Sequence, residues 1–226
     1  MLHVLVDIDE TMLSVPKGIN AKASSIMFKK VFGVDAHEEM IDNVGKTEMG
    51  IIQEVLEKIG LKKDVPTKAY TVWGQATADQ LQEHQPKILD GIPELLNELS
   101  HNPQIRLGLL TGNSTARTEA KLRATRLDSF FRDSKTHQLI GVFGEMAPKR
   151  DQLFDLIKEQ STPEDRFVII DDSLIAARMA QKHIIPIILV ATGSATEDQL
   201  RPYTSHVFPN FGENRWKEAA LIIARM

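Results

Sequence analysis

The strongest constraint in this sequence is a pattern that occurs four times, in which a short apolar segment ends abruptly in polar residues. Each apolar segment has the length and continuous hydrophobicity of a strand buried on both faces of a sheet. In open parallel sheets, functional groups gather beyond the carboxyl ends of the strands. The first three polar clusters are therefore predicted to bring carboxylates and hydroxyls to one sheet edge. The four clusters are Asp7-Ile-Asp9-Glu-Thr11 after Leu2–Val6, Thr111-Gly-Asn113 after Ile105–Leu110, Asp171-Asp172-Ser173 after residues 167–170, and Thr192-Gly193 after Ile187–Val190.

Helical patterns separate these strands from residue 87 onward, which indicates a parallel sheet covered by helices on both faces. The predicted fold class is α/β, with a Rossmann-like doubly wound parallel sheet. Short additional strands are expected at residues 139–143 and from Val207. Helices are expected at residues 93–99, from a Ser114 cap to about 125, at 148–160, from a Ser173 cap to about 182, and at 216–224.

The alternation of strands and helices is interrupted between about residues 21 and 85, where the pattern is helical throughout. One apolar stripe predicts a helix that ends at Gly33, and a second predicts a helix that ends at Gly60. Pro66 is a candidate start for a third helix. We interpret residues 17–86 as an inserted α-helical cap on a core formed by residues 1–16 and 87–226.

Composition and charge exclude several classes of protein. The formal net charge of -4 argues against a nucleic-acid partner, because such proteins usually carry a basic surface. The sequence contains no cysteine, which excludes disulfides, thiolate catalysis and Cys-based metal sites. No apolar run reaches the ~18 residues of a membrane span, and no cationic signal-peptide region precedes Asp7. We therefore expect a cytoplasmic protein without a membrane or nucleic-acid partner.

Several carboxylates at one sheet edge repel one another, and a divalent cation is the natural group to neutralise them. Aspartate oxygens favour Mg²⁺, which also binds substrate phosphate. A phosphoryl group would need positive charge and hydrogen-bond donors from Lys149 or Arg150, the Thr111 hydroxyl, and the amides of Gly112 and Asn113. One aspartate can attack phosphorus. A second aspartate, two residues further on, can protonate the leaving oxygen and later activate water.

These clusters resemble the motifs of the haloacid dehalogenase superfamily over the whole chain. The Asp7-Ile-Asp9-Glu-Thr11 segment is similar to motif I, Thr111 to motif II, Lys149 or less favourably Arg150 to motif III, and Asp171-Asp172 to motif IV. The helical insertion is similar to a C1 cap, and the layout is most similar to the phosphoglycolate phosphatase and β-phosphoglucomutase branch. The resemblance implies that Asp7 is the nucleophile and Asp9 the acid/base. It also implies Mg²⁺ held by Asp7, the Asp9 backbone carbonyl and Asp172, with Asp171 close by or bridged through water.

The sequence departs from this family pattern at three places. Glu10 stands where glycine is usual, and Ala176 stands where an acid often follows motif IV. Motif III has the order Pro148-Lys149-Arg150 instead of Lys-Pro, which leaves open which basic residue faces the phosphate. In the cap, the segment Gly45-Lys46-Thr47-Glu48 resembles the substrate-facing loop of this branch. Lys46 is thus a candidate substrate contact, with a plain surface charge as the alternative.

The function predicted from these residues is a Mg²⁺-dependent phosphatase acting on a small phosphorylated metabolite, such as phosphoglycolate or a sugar phosphate. Two alternatives stay open. One is a β-phosphoglucomutase-like phosphomutase, which would use the same two aspartates. The other is a catalytically weak phosphate-binding or regulatory protein. Dehalogenase and phosphonatase activities are disfavoured, because relatives with those activities generally lack an aspartate at the position of Asp9.

Overall fold

The computed structural model describes all 226 residues and contains eight strands, nine α-helices and two short 3-10 helices at Glu38–Met40 and Asp128–Phe131. The strands are β1 (Leu2–Val6), β2 (Leu13–Ser14), β3 (Lys87–Ile88), β4 (Ile105–Leu110), β5 (Gly141–Val142), β6 (Arg166–Asp171), β7 (Ile187–Val190) and β8 (Val207–Phe208). The helices are α1 (Ile19–Phe32), α2 (Glu48–Lys58), α3 (Thr67–Glu83), α4 (Ile92–Ser100), α5 (Thr115–Thr125), α6 (Arg150–Glu159), α7 (Leu174–His183), α8 (Glu197–Leu200) and α9 (Arg215–Ala224).

Six strands form one parallel sheet in the order β5-β4-β1-β6-β7-β8. Strand β1 lies between β4 and β6, and its last residue Val6 pairs with Leu109 on one side and Ile170 on the other. The chain builds one half of the sheet outward from β1 through β4 to β5, and then crosses to β6 on the other side of β1 to build the second half. The carboxyl end of β1 is therefore the topological switch point where such folds bind ligands. The predicted α/β fold class is confirmed.

Alternate residues of the central strands pack on opposite faces of the sheet, because successive side chains of a strand point in opposite directions. Val4 and Val6 of β1 join a buried cluster with residues of α4 and α9. Leu5, between them, joins a second buried cluster with residues of α6 and α7. Helices thus cover both faces of the sheet, and its polar carboxyl edge is the part that they leave uncovered.

The inserted helices have a buried cluster of their own, whose members all lie between Ala23 and Ala76. Helix α3 of this cap packs closely along α5 of the core. A Cβ atom at Gly74 of α3 would lie 2.4 Å from the Cβ of Ala116, so only glycine permits this approach. Strands β2 and β3 pair antiparallel where the chain leaves and re-enters the core. We retain residues 17–86 as our proposed cap boundaries.

The structure differs from the sequence expectations at several element bounds. The cap region is not helical throughout, since loops at residues 33–37, 41–47 and 59–66 separate its helices. The two-residue strands β2 and β3 and the short helix α8 were not predicted. The strand expected at 139–143 is limited to β5, because Leu139 bridges back to Arg132. None of the nine helices is both long and apolar enough to cross a membrane.

Candidate active site

Asp7 and Asp9 lie on a tight loop that leaves the carboxyl end of β1. Glu10 in this loop has a φ of 54°, a left-handed conformation that costs energy for any residue with a β-carbon. The Ser14 hydroxyl donates to Oε1 of Glu10 at 2.8 Å, and the Thr192 hydroxyl donates to its carbonyl oxygen. Glu10 therefore adopts a strained backbone conformation, and the hydrogen bonds from the Ser14 and Thr192 hydroxyls offset part of its cost. Thr192, at the end of β7, thus helps to hold the loop.

Three buried carboxylates meet where β1 and β6 end. Oxygen atoms of Asp7, Asp171 and Asp172 all lie within 4.8 Å of one another. The Thr11 hydroxyl donates to Oδ1 of Asp172 at 3.3 Å. A Cβ atom at Gly193 would lie 1.8 Å from Oδ2 of Asp172, so a glycine is required for the β7 loop to pack there. The clustering predicted from the strand ends is present in the fold.

Arg150, and not its neighbour Lys149, reaches the carboxylate cluster. Nη2 of Arg150 lies 3.1 Å from Oδ1 of Asp7 and 2.5 Å from Oδ2 of Asp171, and it donates to the Leu110 carbonyl at 2.8 Å. Lys149 is exposed and occupies the extended N-cap position of α6. The sequence favoured Lys149 as the phosphate-facing base, whereas in the fold Arg150 is the basic residue that reaches the carboxylates. Arg150 is the first helical residue, and its side chain points inward where that of Lys149 points to solvent.

The electrostatics of the cluster indicate too little positive charge for three carboxylates. Burial, and then the charge of Asp171, raise the pKa of Asp7 to about 7, although Arg150 opposes the shift. Burial, followed by Asp171 and Asp7, raises the pKa of Asp172 to about 9. One guanidinium is thus shared by three close acidic groups. An all-oxygen set of this kind, short of positive charge, fits a divalent cation such as Mg²⁺.

The segment that follows β6 positions Asp171 behind the cavity and Ala176 in the apolar core. Oδ1 of Asp171 accepts from the Ser173 amide at 2.9 Å and from the Ser173 hydroxyl at 2.8 Å, so Asp171 lies behind Asp172 and does not line the cavity. Ser173 caps α7, as predicted. Ala176 packs in the apolar cluster beneath the sheet. An acid at position 176 would need to leave that cluster to reach the site.

The loop that follows β4 supplies hydrogen-bonding groups on the other side of Asp7. Gly112 and Asn113 line the cavity, whereas Thr111 is fully buried behind them. The Thr111 hydroxyl oxygen accepts from the Asn113 amide at 3.2 Å and from its side chain at 3.0 Å. The Asn113 side chain also donates to Oδ2 of Asp9 at 2.7 Å. The predicted loop thus connects the second aspartate to Thr111.

Lys121 is a site residue that the sequence reasoning missed. Its fully buried ammonium nitrogen lies 2.7 Å from both carboxylate oxygens of Asp9 and 2.8 Å from Oδ1 of Asn113. Burial tends to raise the pKa of Asp9, but Lys121 and Arg117 outweigh it and hold this pKa below its usual value. The available signal was a pair of basic residues four positions apart on the helix that begins directly after the Thr111 loop.

A cavity of about 180 Å³ connects this edge with the cap. Asp7, Asp9, Asp172 and Arg150 line its core side. The cap contributes Asn20, Glu38, Asn43, Val44, Gly45, Lys46, Glu48 and Ile51. Nζ of Lys46 is paired with Glu54 at 2.5 Å, so its charge is already matched.

Backbone hydrogen bonds attach the cap to the two loops that follow β4 and β5. The Glu48 amide donates to the Gly112 carbonyl at 2.8 Å, and the Met49 amide donates to the Gly144 carbonyl at 3.0 Å. A Cβ atom at Gly112 would lie 2.1 Å from the Lys46 carbonyl oxygen. The Thr47 hydroxyl accepts from the Gly50 amide at 3.2 Å and caps α2. The cap loop that contains Lys46 and Thr47 therefore lies against the site as one of its walls.

Comparison with known proteins identifies the architecture. Residues 4–190 match the family model of haloacid dehalogenase-like hydrolases. No curated protein is close enough in sequence to serve as a relative.

Solved structures share the fold at low sequence identity. CbbY from Rhodobacter sphaeroides, determined with phosphate, is 20% identical with a TM-score of 0.67, covering 93% of this chain and 95% of its own. A predicted phosphatase from Clostridium acetobutylicum is 19% identical with a TM-score of 0.63, covering 99% and 98%. A proposed β-phosphoglucomutase from Thermotoga maritima is 19% identical with a TM-score of 0.58, covering 96% and 99%. The likeness extends over both the core and the inserted helices.

Proposed function

Since this chain belongs to the family of haloacid dehalogenase-like hydrolases, we propose that it is a Mg²⁺-dependent phosphatase that cleaves a small phosphomonoester through an aspartyl-phosphate on Asp7. The observation that carries the proposal is the position of Asp7. Its carboxylate is buried at the topological switch point, 3.1 Å from the Arg150 guanidinium and beside Asp172. Asp9 follows on the same loop and faces the same cavity.

Arg150 and the Gly112–Asn113 loop supply the proposed phosphoryl subsite. The Arg150 guanidinium is planar and permanently charged, which suits it to phosphoryl oxygens. The nitrogen that contacts Asp7, Nη2, is also held by Asp171 and by the Leu110 carbonyl, so the position of the guanidinium is fixed before substrate arrives. Donors held in place in this way stabilise developing charge without reorganisation during the reaction.

The proposed reaction has two steps on this chain's own residues. In the first, a carboxylate oxygen of Asp7 forms a bond to phosphorus while the bond from phosphorus to the leaving oxygen breaks. The protonated form of Asp9, which Lys121 disfavours in the resting site, gives that oxygen its proton. In the second, water attacks phosphorus, Asp9 takes the water proton, and the bond to Asp7 breaks. The products are an alcohol, inorganic phosphate and the original carboxylate.

The carboxylates of Asp7 and Asp172 and the Asp9 backbone carbonyl are the proposed Mg²⁺ ligands, with Asp171 held behind them by Ser173 and Arg150. When bound, Mg²⁺ would supply positive charge that reduces repulsion between the anionic nucleophile and the anionic phosphate. The substrate is proposed to be a small phosphorylated metabolite, in keeping with the size of the cavity.

Hydrolysis of acetyl phosphate and of a panel of phosphomonoesters, with phosphate release as the signal, tests this proposal. We expect Asp7→Asn to abolish turnover while its thermal melting curve stays cooperative. Full activity of Asp7→Asn would falsify the proposed nucleophile. Product analysis with a hexose 1-phosphate separates the two reactions of this scaffold: free hexose identifies a phosphatase, and hexose 6-phosphate a mutase.

A further inference from the structure

The cap end of the cavity is strongly polar. Only two hydrophobic residues, Val44 and Ile51, are among the 17 residues that line the whole cavity. A leaving group bound there must therefore be held by hydrogen bonds and charge and not by apolar packing. The polar side chains at this end come from both the cap and α5, namely Asn20, Glu38, Asn43, Lys46, Glu48 and Arg117.

Arg117, the one basic residue that α5 contributes to this end, is already engaged by protein groups. Its Nη1 lies 3.1 Å from Oε1 of Glu48 and 3.5 Å from Oε2 of Glu38. Its Nη2 donates to Oδ1 of Asn20 at 2.8 Å, and its guanidinium lies 4.6 Å from the centre of the Trp73 ring. Two buried carboxylates thus face one buried guanidinium, and Lys46, the cation that the cap contributes, is paired with Glu54, which leaves this end acidic.

Two buried atoms at this end make no well-formed hydrogen bond. They are Oε2 of Glu48, which has the Ser114 amide and hydroxyl near it, and Nε of Arg117. Glu48 itself is only 1% exposed. A hydroxyl both donates and accepts hydrogen bonds, whereas a carboxylate only accepts them. An unpaired buried acceptor costs free energy, which a donor on the ligand would recover.

We propose that Asn20, Glu38, Glu48 and Arg117 form a leaving-group subsite that takes an uncharged, hydroxyl-bearing alcohol and rejects a carboxylate. The subsite deepens the proposed function and rests on it, since the alcohol is the product released when Asp7 takes the phosphoryl group. Phosphoglycolate, which the family resemblance suggested, is then a poor substrate. A short polyol phosphate or sugar phosphate is a good one.

The test compares two substrates that differ at one group. 2-Hydroxyethyl phosphate and 2-phosphoglycolate are similar in size and carry the same phosphate group. The first has a hydroxymethyl group where the second has a carboxylate. We expect the wild-type protein to show a kcat/KM at least about tenfold higher for 2-hydroxyethyl phosphate, because a site built for a hydroxyl discriminates strongly. A ratio of one, or a preference for phosphoglycolate, overturns the inference.

Glu48→Gln tests the residue itself, and the ratio of the two kcat/KM values is the readout. Loss of one negative charge should reduce the repulsion between the subsite and a substrate carboxylate. The ratio of kcat/KM for 2-hydroxyethyl phosphate to that for 2-phosphoglycolate should therefore fall toward one. The ratio is internal to each preparation and does not depend on the fraction of active protein. Glu57→Gln, at an exposed position on the same helix, should keep the wild-type ratio. An unchanged ratio in Glu48→Gln overturns the assignment of Glu48.

Acetyl phosphate distinguishes failure of the subsite from failure of the proposed function. If the wild-type protein hydrolyses acetyl phosphate but prefers phosphoglycolate to 2-hydroxyethyl phosphate, the subsite is wrong and the phosphatase stands. If neither acetyl phosphate nor any phosphomonoester of the panel is hydrolysed in the presence of Mg²⁺, the proposed function fails and the subsite fails with it.

Discussion

Lys121 and Asp9 form a buried ion pair in which the ammonium nitrogen lies 2.7 Å from each carboxylate oxygen. Lys121 also contacts Asn113, and Arg117 lies one turn earlier on the same helix. Helix α5 therefore holds the second aspartate with one basic residue and the cap with the other. The acid/base group and the cap wall are positioned by a single rigid element.

Lys121→Met is expected to lower kcat by about 100-fold, a typical effect of losing a positioned acid/base group. KM should change little, since the phosphoryl contacts of Arg150 remain. Steady-state kinetics with 2-hydroxyethyl phosphate, whose leaving alcohol needs that proton, measures both quantities. We also expect a loss of about 1–3 kcal/mol in unfolding free energy, because hydrogen bonds to a charged group are removed.

Lys182→Met is the matched control for Lys121. Lys182 pairs with Asp151 at the same distance, 2.7 Å, but its side chain is 62% exposed. Exposed pairs contribute about 0–1 kcal/mol, and Lys182 is remote from the cavity. A loss of kcat as large in Lys182→Met as in Lys121→Met would contradict a specific role for Lys121.

Arg150→Met and Lys149→Met test which of the two neighbouring basic residues faces the phosphate, a choice that the sequence left open. We expect Arg150→Met to lower kcat/KM by about 10²–10³-fold, as loss of a transition-state donor does, and to destabilise the fold by about 3–5 kcal/mol because buried carboxylates lose their partner. Lys149→Met should shift unfolding free energy by less than about 0.5 kcal/mol, as exposed substitutions usually do. Arg150→Lys keeps the charge and provides a variant that folds more readily. Equal loss of activity in Lys149→Met and Arg150→Met would reject the assignment of Arg150.

Adding Mg²⁺ is expected to raise the melting temperature of the metal-free protein. A ligand that binds only the folded state at 100 times its Kd stabilises by about 2.7 kcal/mol. The reason is that Asp7 and Asp172 are short of positive charge without it. Asp172→Asn should remove most of this shift, whereas Asp198→Asn, at a fully exposed side chain, should keep it. Differential scanning fluorimetry with MgCl₂ against a chelator measures the effect, and an undiminished shift in Asp172→Asn argues against this metal site.

Ile184→Gly is expected to stabilise the protein by about 0.5–1 kcal/mol. Ile184 ends α7 with a φ of 56° and is 91% exposed, so a β-branched residue bears left-handed strain without burial in return. The gain is limited because glycine also makes the unfolded chain more flexible. Urea unfolding measures it. Ile184→Ala retains a β-carbon and should gain less, and a larger gain for alanine would show that side-chain exposure and not backbone strain decides the effect.

The sequence alone was sufficient for the parts of this protein that depend on local patterns. Strands β4 and β7 and the caps of α5 and α7 follow from apolar runs and from Ser114 and Ser173. The clustering of Asp7 with Asp171 and Asp172 follows from the parallel direction of the strands, because the carboxyl ends of parallel strands share one edge. The strands and caps depend on backbone geometry over a few residues, and that geometry is nearly independent of what packs around it.

The tertiary structure decided which side chains complete the site. Lys149 and Arg150 carry the same charge at neighbouring positions. Helix α6 begins between them, so the Lys149 side chain points to solvent and the Arg150 side chain points under the sheet edge. Lys121 meets Asp9 across 112 residues of sequence, and Arg117 meets Glu48 across 69. The spacing of Arg117 and Lys121 is visible in the sequence but their partners are not, because both contacts arise only when α5 packs between the Asp7–Asp9 loop and the cap.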